Sequence, residues 1–336
     1  MTVTSCSTVL LESRELLPPE WAALNAGALH TFNPGLTRSA DGGWILAYRV
    51  VVNDGRRRIG ICRLDRDFRV LPGSARALSD ALTFRKPNDY PSVALEWFAD
   101  PRLLRLQGKL FIYWNSGWHE PRNHQFLQEL DERTLQPIGT ARELLLTSSE
   151  RRKLEKNWMP FESGGRVLVV YSVQPHRILT CDLAGAGDIA CRHLAAVDWS
   201  TTDYPACHGG LRGGTPPQVV DGLLWSFSHS VHDGTGGYEY RAAAYAFSPE
   251  PPFAPVRVPL SPLQLYPAPL PARQLPRLNP AVGEVIYPCG ACREGADWVV
   301  SWGLNDERCA VTVIPHAHVA ASTTPTAAAT PIPPRC

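Results

Sequence analysis

The sequence predicts an all-β chain: five blades of about four strands each, set around one axis as a β-propeller, with short helical decorations. Three observations carry that prediction. Gly-rich turn signals sit between apolar strand-like runs, they recur about every 55 to 75 residues, and helix signals between them are sparse. A strand-built repeat of that length is one blade of a radial array.

The repeats read in order. Asp41-Gly42-Gly43 precedes the run Trp44 to Tyr48, Gln107-Gly108 precedes Leu110 to Tyr113, and Ser163-Gly164-Gly165 precedes Val167 to Tyr171. Asp221-Gly222 precedes Leu223 to Phe227, and Glu294 to Asp297 precedes Trp298 to Trp302. Further strand candidates, Arg58 to Cys62, Arg177 to Cys181, Tyr240 to Tyr245 and Cys309 to Ile314, complete the blades. Pro18 to Leu24 and Ser148 to Leu154 each read as a short helix start with acidic residues near its N-terminus. The domain division follows: an N-terminal segment over 1–25, the propeller over 26–315, and a tail over 316–336. That tail is rich in Pro, Ala and Thr and too poor in large apolar residues to pack, so it is expected to be disordered.

Composition narrows the function. A formal charge of +1 over 336 residues, with both signs evenly spread, offers no broad cationic field for nucleic acid or an acidic membrane surface. Small or neutral partners fit better, and no sequence motif speaks to subunit contacts. Met1 to Leu11 lack a basic start and a long apolar run, so the expectation is no signal peptide, no membrane span and a cytoplasmic location. Nine cysteines, an odd number without a leader, read as mostly free thiols. Cys289-Gly290-Ala291-Cys292 has the spacing of a zinc or redox pair but no second pair, and His119-Glu120 and His232-Asp233 complete no ligand set. No metal is expected.

A hairpin brings the residue before its first strand beside the residue after its second. Asn33-Pro34 and Arg49 flank the first hairpin, Asp100-Pro101-Arg102 and Asn115 the second, and Lys156-Asn157 and Pro175-His176 the third. Arg212 to Pro216 and His229 flank the fourth, and Cys289-Gly290 and Asn305-Asp306 the fifth. Around one axis these polar groups converge on a single pole. The stretch His208 to Pro217 adds four glycines, two prolines and an Arg, which suit close backbone approach to an anionic oxygen.

In this order the motifs resemble glycoside hydrolase family 130, the β-mannoside phosphorylases and related hydrolases, and the β-mannosyltransferases of like fold. The resemblance spans residues 30 to 315 and rests on Phe32-Asn33-Pro34, Ala47-Tyr48-Arg49, Asp100-Pro101-Arg102, Lys156-Asn157, Pro175-His176, Gly213 to Pro217 with His229, and Gly303 to Asp306. It implies a five-bladed glycosidase-type propeller and an inverting enzyme. Asp100 would be the general acid, and Asn33, Arg49, Arg102, Asn157, Tyr240 and Asp306 would hold the sugar. Lys156, His176, Arg212 and His229 would cradle phosphate while oxocarbenium character develops. No cofactor is implied, only inorganic phosphate or a sugar phosphate as co-substrate. Lys156 presents a flexible ammonium rather than a planar bidentate fork, which weakens phosphate as nucleophile and leaves room for a nucleotide-sugar donor. Hydrolysis would need a second carboxylate, for which Glu155 and Glu162 stand nearest. Trp114, Trp118, Trp158, Tyr238 and Tyr240 are candidates to stack on sugar rings. A propeller that binds sugar without chemistry is the reading from another functional class.

Overall fold

Two-residue turns fix the backbone at three of the five expected hairpins. Gln107-Gly108, Gly164-Gly165 and Asp221-Gly222 each place both turn residues at positive φ, the twist that matches antiparallel strands. The computed structural model describes residues 6–117, 123–147, 155–200, 203–267, 269–326 and 329–333. These form a mostly β chain. After β1 (Ser7–Leu10) come β2 (His30–Arg38), β3 (Trp44–Val51) and β4 (Arg58–Leu64). Next are β5 (Ala99–Leu106), β6 (Lys109–Asn115), β7 (Gln125–Leu130) and β8 (Pro137–Leu146), then β9 (Met159–Ser163), β10 (Arg166–Ser172), β11 (His176–Cys181) and β12 (Ile189–Trp199). The fourth group holds β13 (Leu211–Arg212), β14 (Gln218–Val220), β15 (Leu223–Gly234), β16 (Gly237–Phe247) and β17 (Pro255–Pro259); the fifth holds β18 (Val282–Glu294), β19 (Asp297–Leu304) and β20 (Arg308–Pro315).

All five expected hairpins pair antiparallel: β2 with β3, β5 with β6, β9 with β10, β14 with β15 and β18 with β19. Hydrogen bonding gathers them into three sheets of 3, 9 and 10 strands. Groups merge because outer edges find partners: β8 runs parallel to β12, and the long β15–β16 hairpin reaches β18 at Tyr238 and Tyr240. Such pairing covers edges that would otherwise invite association. The first strand closes the last group, β1 lying antiparallel to β20 from Ser7↔Val313 to Leu10↔Ala310.

Glycines let the innermost segments touch. A Cβ on Gly35 would stand 2.6 Å from the Pro101 carbonyl oxygen, and one on Gly213 or Gly290 would overlap the backbone of Asn157 or Leu36. Arg102 bridges the gap between, donating to the Trp158 carbonyl and, at 3.4 Å, to that of Gly213. Gly214 also comes close to the Pro288 carbonyl, whose oxygen lies 2.9 Å from where a Gly214 Cβ would stand. Between sheets the core is aromatic and branched aliphatic, with Trp44, Trp114, Trp158, Trp298 and Trp302 fully enclosed.

Helices are few and short: α1 (Leu78–Ala81), α2 (Ser92–Glu96), α3 (Tyr204–His208) and α4 (His316–Ala321). The segment after Pro18 forms a 3-10 turn over Pro19–Leu24, while the helix start expected at Ser148 to Leu154 lies outside the described residues. The region beyond 315 departs from the expectation of a disordered tail. Besides α4 it carries β21 (Thr323–Pro325) on β17 and β22 (Ala329–Pro331) on β12. Backbone pairing to open sheet edges needs no large apolar side chains, so composition under-reads this segment. No helix among the described residues is long and apolar enough to cross a membrane.

Candidate active site

The site is built on repeated backbone distortions. In β2 the register slips between Phe32 and Gly35, and in β5 between Ala99 and Arg102. Asn33 and Asp100 occupy these bulges with φ 51° each, and Asn157, just ahead of β9, has φ 65°. Asn and Asp tolerate this left-handed region better than other side-chain-bearing residues. A bulge re-aims its side chain, and here successive inner strands present an amide, a carboxylate and an amide to one place.

Asn33, Arg49, Asp100, Lys156, His229, Tyr240 and Asp306 all line one cavity of about 150 Å³. Asn33 Nδ2 and Arg49 Nη1 donate to the same oxygen, Asp100 Oδ1, at 2.9 and 3.1 Å. The Tyr287 hydroxyl lies 3.4 Å from Asp100 Oδ2 and donates at 2.7 Å to Asn157 Oδ1. Arg49 also rests over the Phe32 ring at 4.6 Å. Tyr287 and Tyr240 flank His229, with ring centroids 4.4 and 5.7 Å away.

Opposed environments divide the two carboxylates. Burial pushes Asp100 up, but Arg49, Lys156, the Asn33 amide and Arg102 together hold it below its ordinary range. Asp306 is raised, first by burial, with Asp100 adding to it and Arg49, Arg273 and Arg57 opposing. Among the cations, burial lowers Lys156, partly countered by Asp100, while Arg212 and Arg49 lower it further. Burial also sends His229 well down, and Arg212, Lys156 and Arg102 reinforce the shift. Positive groups close enough to suppress one another's protonation form a receptive place for an anion.

Two candidates stand elsewhere. Arg102 is fully buried and spends its guanidinium on the Trp158 and Gly213 carbonyls and the Tyr113 ring, so it braces inner strands instead of facing the cavity. His176 begins β11, two strands outward from the innermost β9, and packs on Phe247 at 4.6 Å. Neighbouring strands are about 4.8 Å apart, so His176, on the third strand from the cavity side, sits about two spacings out, whereas His229 and Arg49 lie on second strands. Asn157 backs the cavity through Tyr287, and Arg212 is exposed beside His229, its partner across β13 and β15.

The remaining candidates sort by burial. Trp114 and Trp158 are core residues, and Tyr238 is 47% exposed near the β15–β16 turn; Trp118, His119 and Glu120 lie outside the described residues. Glu155 accepts from the Tyr171 hydroxyl at 2.9 Å, and Glu162 accepts from the Gln107 amide and lines a different cavity from Asp100. Burial raises both Cys289 and Cys292, keeping them as thiols. Among the described residues no group of three His, Cys, Asp or Glu side chains could hold a metal ion.

Sequence reasoning missed Tyr287, Arg57 and Trp97. Arg57 lines the cavity over Trp97, 4.9 Å from its centroid, and burial followed by Arg49 pulls it down to about 10. It sits in the run Arg56-Arg57-Arg58, just before the strand candidate Arg58 to Cys62, where no turn motif marks it. Tyr287 sits two residues before Cys289, inside a 13-residue strand with no turn to flag it.

No family model and no curated protein matches the sequence. Solved structures do match in fold. A mannose phosphorylase from Leishmania mexicana, in complex with phosphate ion, is 12% identical with TM-score 0.55, over 93% of this chain and 90% of that one. The β-1,2-mannobiose phosphorylase from Listeria innocua, in complex with β-1,2-mannobiose, is 15% identical with TM-score 0.60, over 93% and 98%. A GDP-Man-dependent mannosyltransferase from Leishmania mexicana is 11% identical with TM-score 0.56, over 94% and 91%.

Proposed function

We propose that this chain is a five-bladed propeller enzyme that cleaves β-mannosides by inverting phosphorolysis to α-mannose 1-phosphate, or runs the reverse synthesis. One observation carries the reading: the cations Lys156 and Arg212, with the His229 imidazole between Arg212 and the cavity, crowd together beside Asp100 on and around a single cavity. Phosphate would take the cationic side, balancing charge as the anomeric carbon becomes oxocarbenium-like. Asp100 would protonate the departing oxygen, with Asn33, Arg49, Tyr240 and Asp306 holding sugar hydroxyls. Asp100 is ionised in the free protein, and an anion on Lys156 would cancel part of the field that keeps it so. The named activities of the mannose phosphorylase and mannobiose phosphorylase neighbours support this choice of sugar and nucleophile.

A second reading is β-mannosyl transfer from a nucleotide-sugar donor. Arg212 favours it, because an exposed guanidinium at the rim suits a diphosphate that extends out of the cavity. Hydrolysis has less support, since Glu155 and Glu162 are both engaged away from Asp100. The test is incubation with α-mannose 1-phosphate or GDP-mannose plus a mannose acceptor, following phosphate or GDP release. Phosphate release with a new β-mannoside supports phosphorolysis, and GDP release supports transfer. Mannose freed from a β-mannoside in water alone overturns both, and sugar binding without turnover makes this a lectin-like module.

A further inference from the structure

We infer that Tyr287 is a positioning residue that designates Asp100 Oδ2 as the oxygen carrying the acid's proton. The inference rests on the reading of Asp100 as the acid and concerns how its proton is held. Asp100 Oδ1 is already occupied by the Asn33 amide and the Arg49 guanidinium. Two strong donors on one oxygen leave Oδ2 as the basic position. Facing Oδ2 is the Tyr287 hydroxyl at 3.4 Å, whereas its contact with Asn157 Oδ1 is 2.7 Å.

A hydroxyl has one proton. Were Tyr287 to give it to the Asp100 carboxylate, the charge-assisted bond would draw in to about 2.5–2.7 Å. The observed spacing puts the proton on the Asn157 side, so the tyrosine oxygen turns lone pairs toward Oδ2. Lone pair against carboxylate is unfavourable, while lone pair against a carboxyl O–H is a hydrogen bond, so this contact favours the protonated acid. During cleavage the proton passes from Oδ2 to the leaving oxygen, Asp100 returns to carboxylate, and Tyr287 keeps its own proton.

Several other groups bear on the same titration. Arg49 from β3, Arg102 from β5 and Lys156 ahead of β9 favour the carboxylate. Asp306 after β19 opposes it, and the Asp100 charge is felt by Tyr113 on β6, His229 on β15, Tyr240 on β16 and Cys289 on β18. Tyr287 is the residue that sets a hydroxyl oxygen against Oδ2 itself, at 3.4 Å.

The test is Tyr287→Phe, read by the pH profile of kcat/KM and by infrared titration of the Asp100 carboxyl, assigned through its loss in Asp100→Asn. The expected result is that the alkaline limb and the carboxyl titration both move to lower pH, because the protonated acid has lost its acceptor. Movement to higher pH, as for a lost donor, overturns the inference, and so does no movement. If Tyr287→Phe does not fold, Asn157→Ala decides: freeing the tyrosine proton to turn on Asp100 should also lower the titration, and an unchanged titration overturns the inference. A wild-type protein inactive on every donor would count against the proposed activity, while the infrared titration would still judge the tyrosine.

Discussion

Replacing Asp100 by Asn separates charge from shape at the centre of the site. An asparagine there can keep every contact: Oδ1 accepts from Asn33 and Arg49, and the amide nitrogen, standing where Oδ2 stands, donates to the Tyr287 oxygen. The variant therefore imitates a permanently protonated acid that has no proton to give. Loss of general-acid catalysis lowers turnover by about 10²–10⁴-fold, or ~2.7–5.4 kcal/mol of barrier. Attraction between Asp100 and Arg49 at 3.1 Å is ~5 kcal/mol at an effective dielectric constant of 20. Most of that is offset because the buried carboxylate is no longer desolvated, leaving a loss of about 1.5–3 kcal/mol, the range for a hydrogen bond to a charged group. Removing the negative charge also strengthens anion binding beside Lys156. Initial rates, phosphate titration calorimetry and thermal melting measure the three effects. Turnover within tenfold of wild type would refute the acid assignment, and weaker phosphate binding in a folded variant would refute the electrostatic account.

Three further outcomes are expected. Phosphate binding between pH 6 and 8 should take up protons, because an anion opposes the burial and the neighbouring cations that lower Lys156 and His229; calorimetry in buffers of different ionisation enthalpy reads this, and proton release would contradict it. His176 is pushed down to about 3 by burial against ~6.5 in an unfolded chain, so the unfolded state binds the extra proton and stability is lost as pH falls from ~6.5 toward 3. Urea melts should then show wild type losing about 2.5 kcal/mol more than His176→Leu between pH 7 and 4.5, and equal losses would refute this. Gly213→Ala places a methyl group on the Asn157 backbone, which should destabilise by more than ~1–3 kcal/mol and impair turnover together; an unchanged melting temperature would show that the ring has slack there.

How much was legible follows from what is local. Gln107-Gly108 and Asp221-Gly222 declare their turns within two residues, so hairpins and their polar ends could be read directly. His176 and His229 look alike in sequence, each just past a hairpin, yet one follows a second strand and the other lies within it. How many strands separate each from the cavity depends on strand length and on the loop at Val173 to Pro175, which neighbouring residues do not encode. Tyr287 was out of reach for a related reason: its importance comes from Asp100 and Asn157, 187 and 130 positions away. The short strands after 315 borrow their order from edges supplied by β12 and β17, which composition does not register.

The pairing of β1 with β20 ties assembly to synthesis. Residues 7–10 must wait for 308–315 before their backbone groups find partners, an interval of about 300 residues, or roughly 15–60 s at translation rates of 5–20 residues per second. Until then the fifth group has an open edge, and neither Tyr287 nor Asp306 has a fixed place beside Asp100. The growing chain thus lacks its fifth set of strands for most of its synthesis, and the pocket is complete only after β18 to β20 have been made and β1 has found β20.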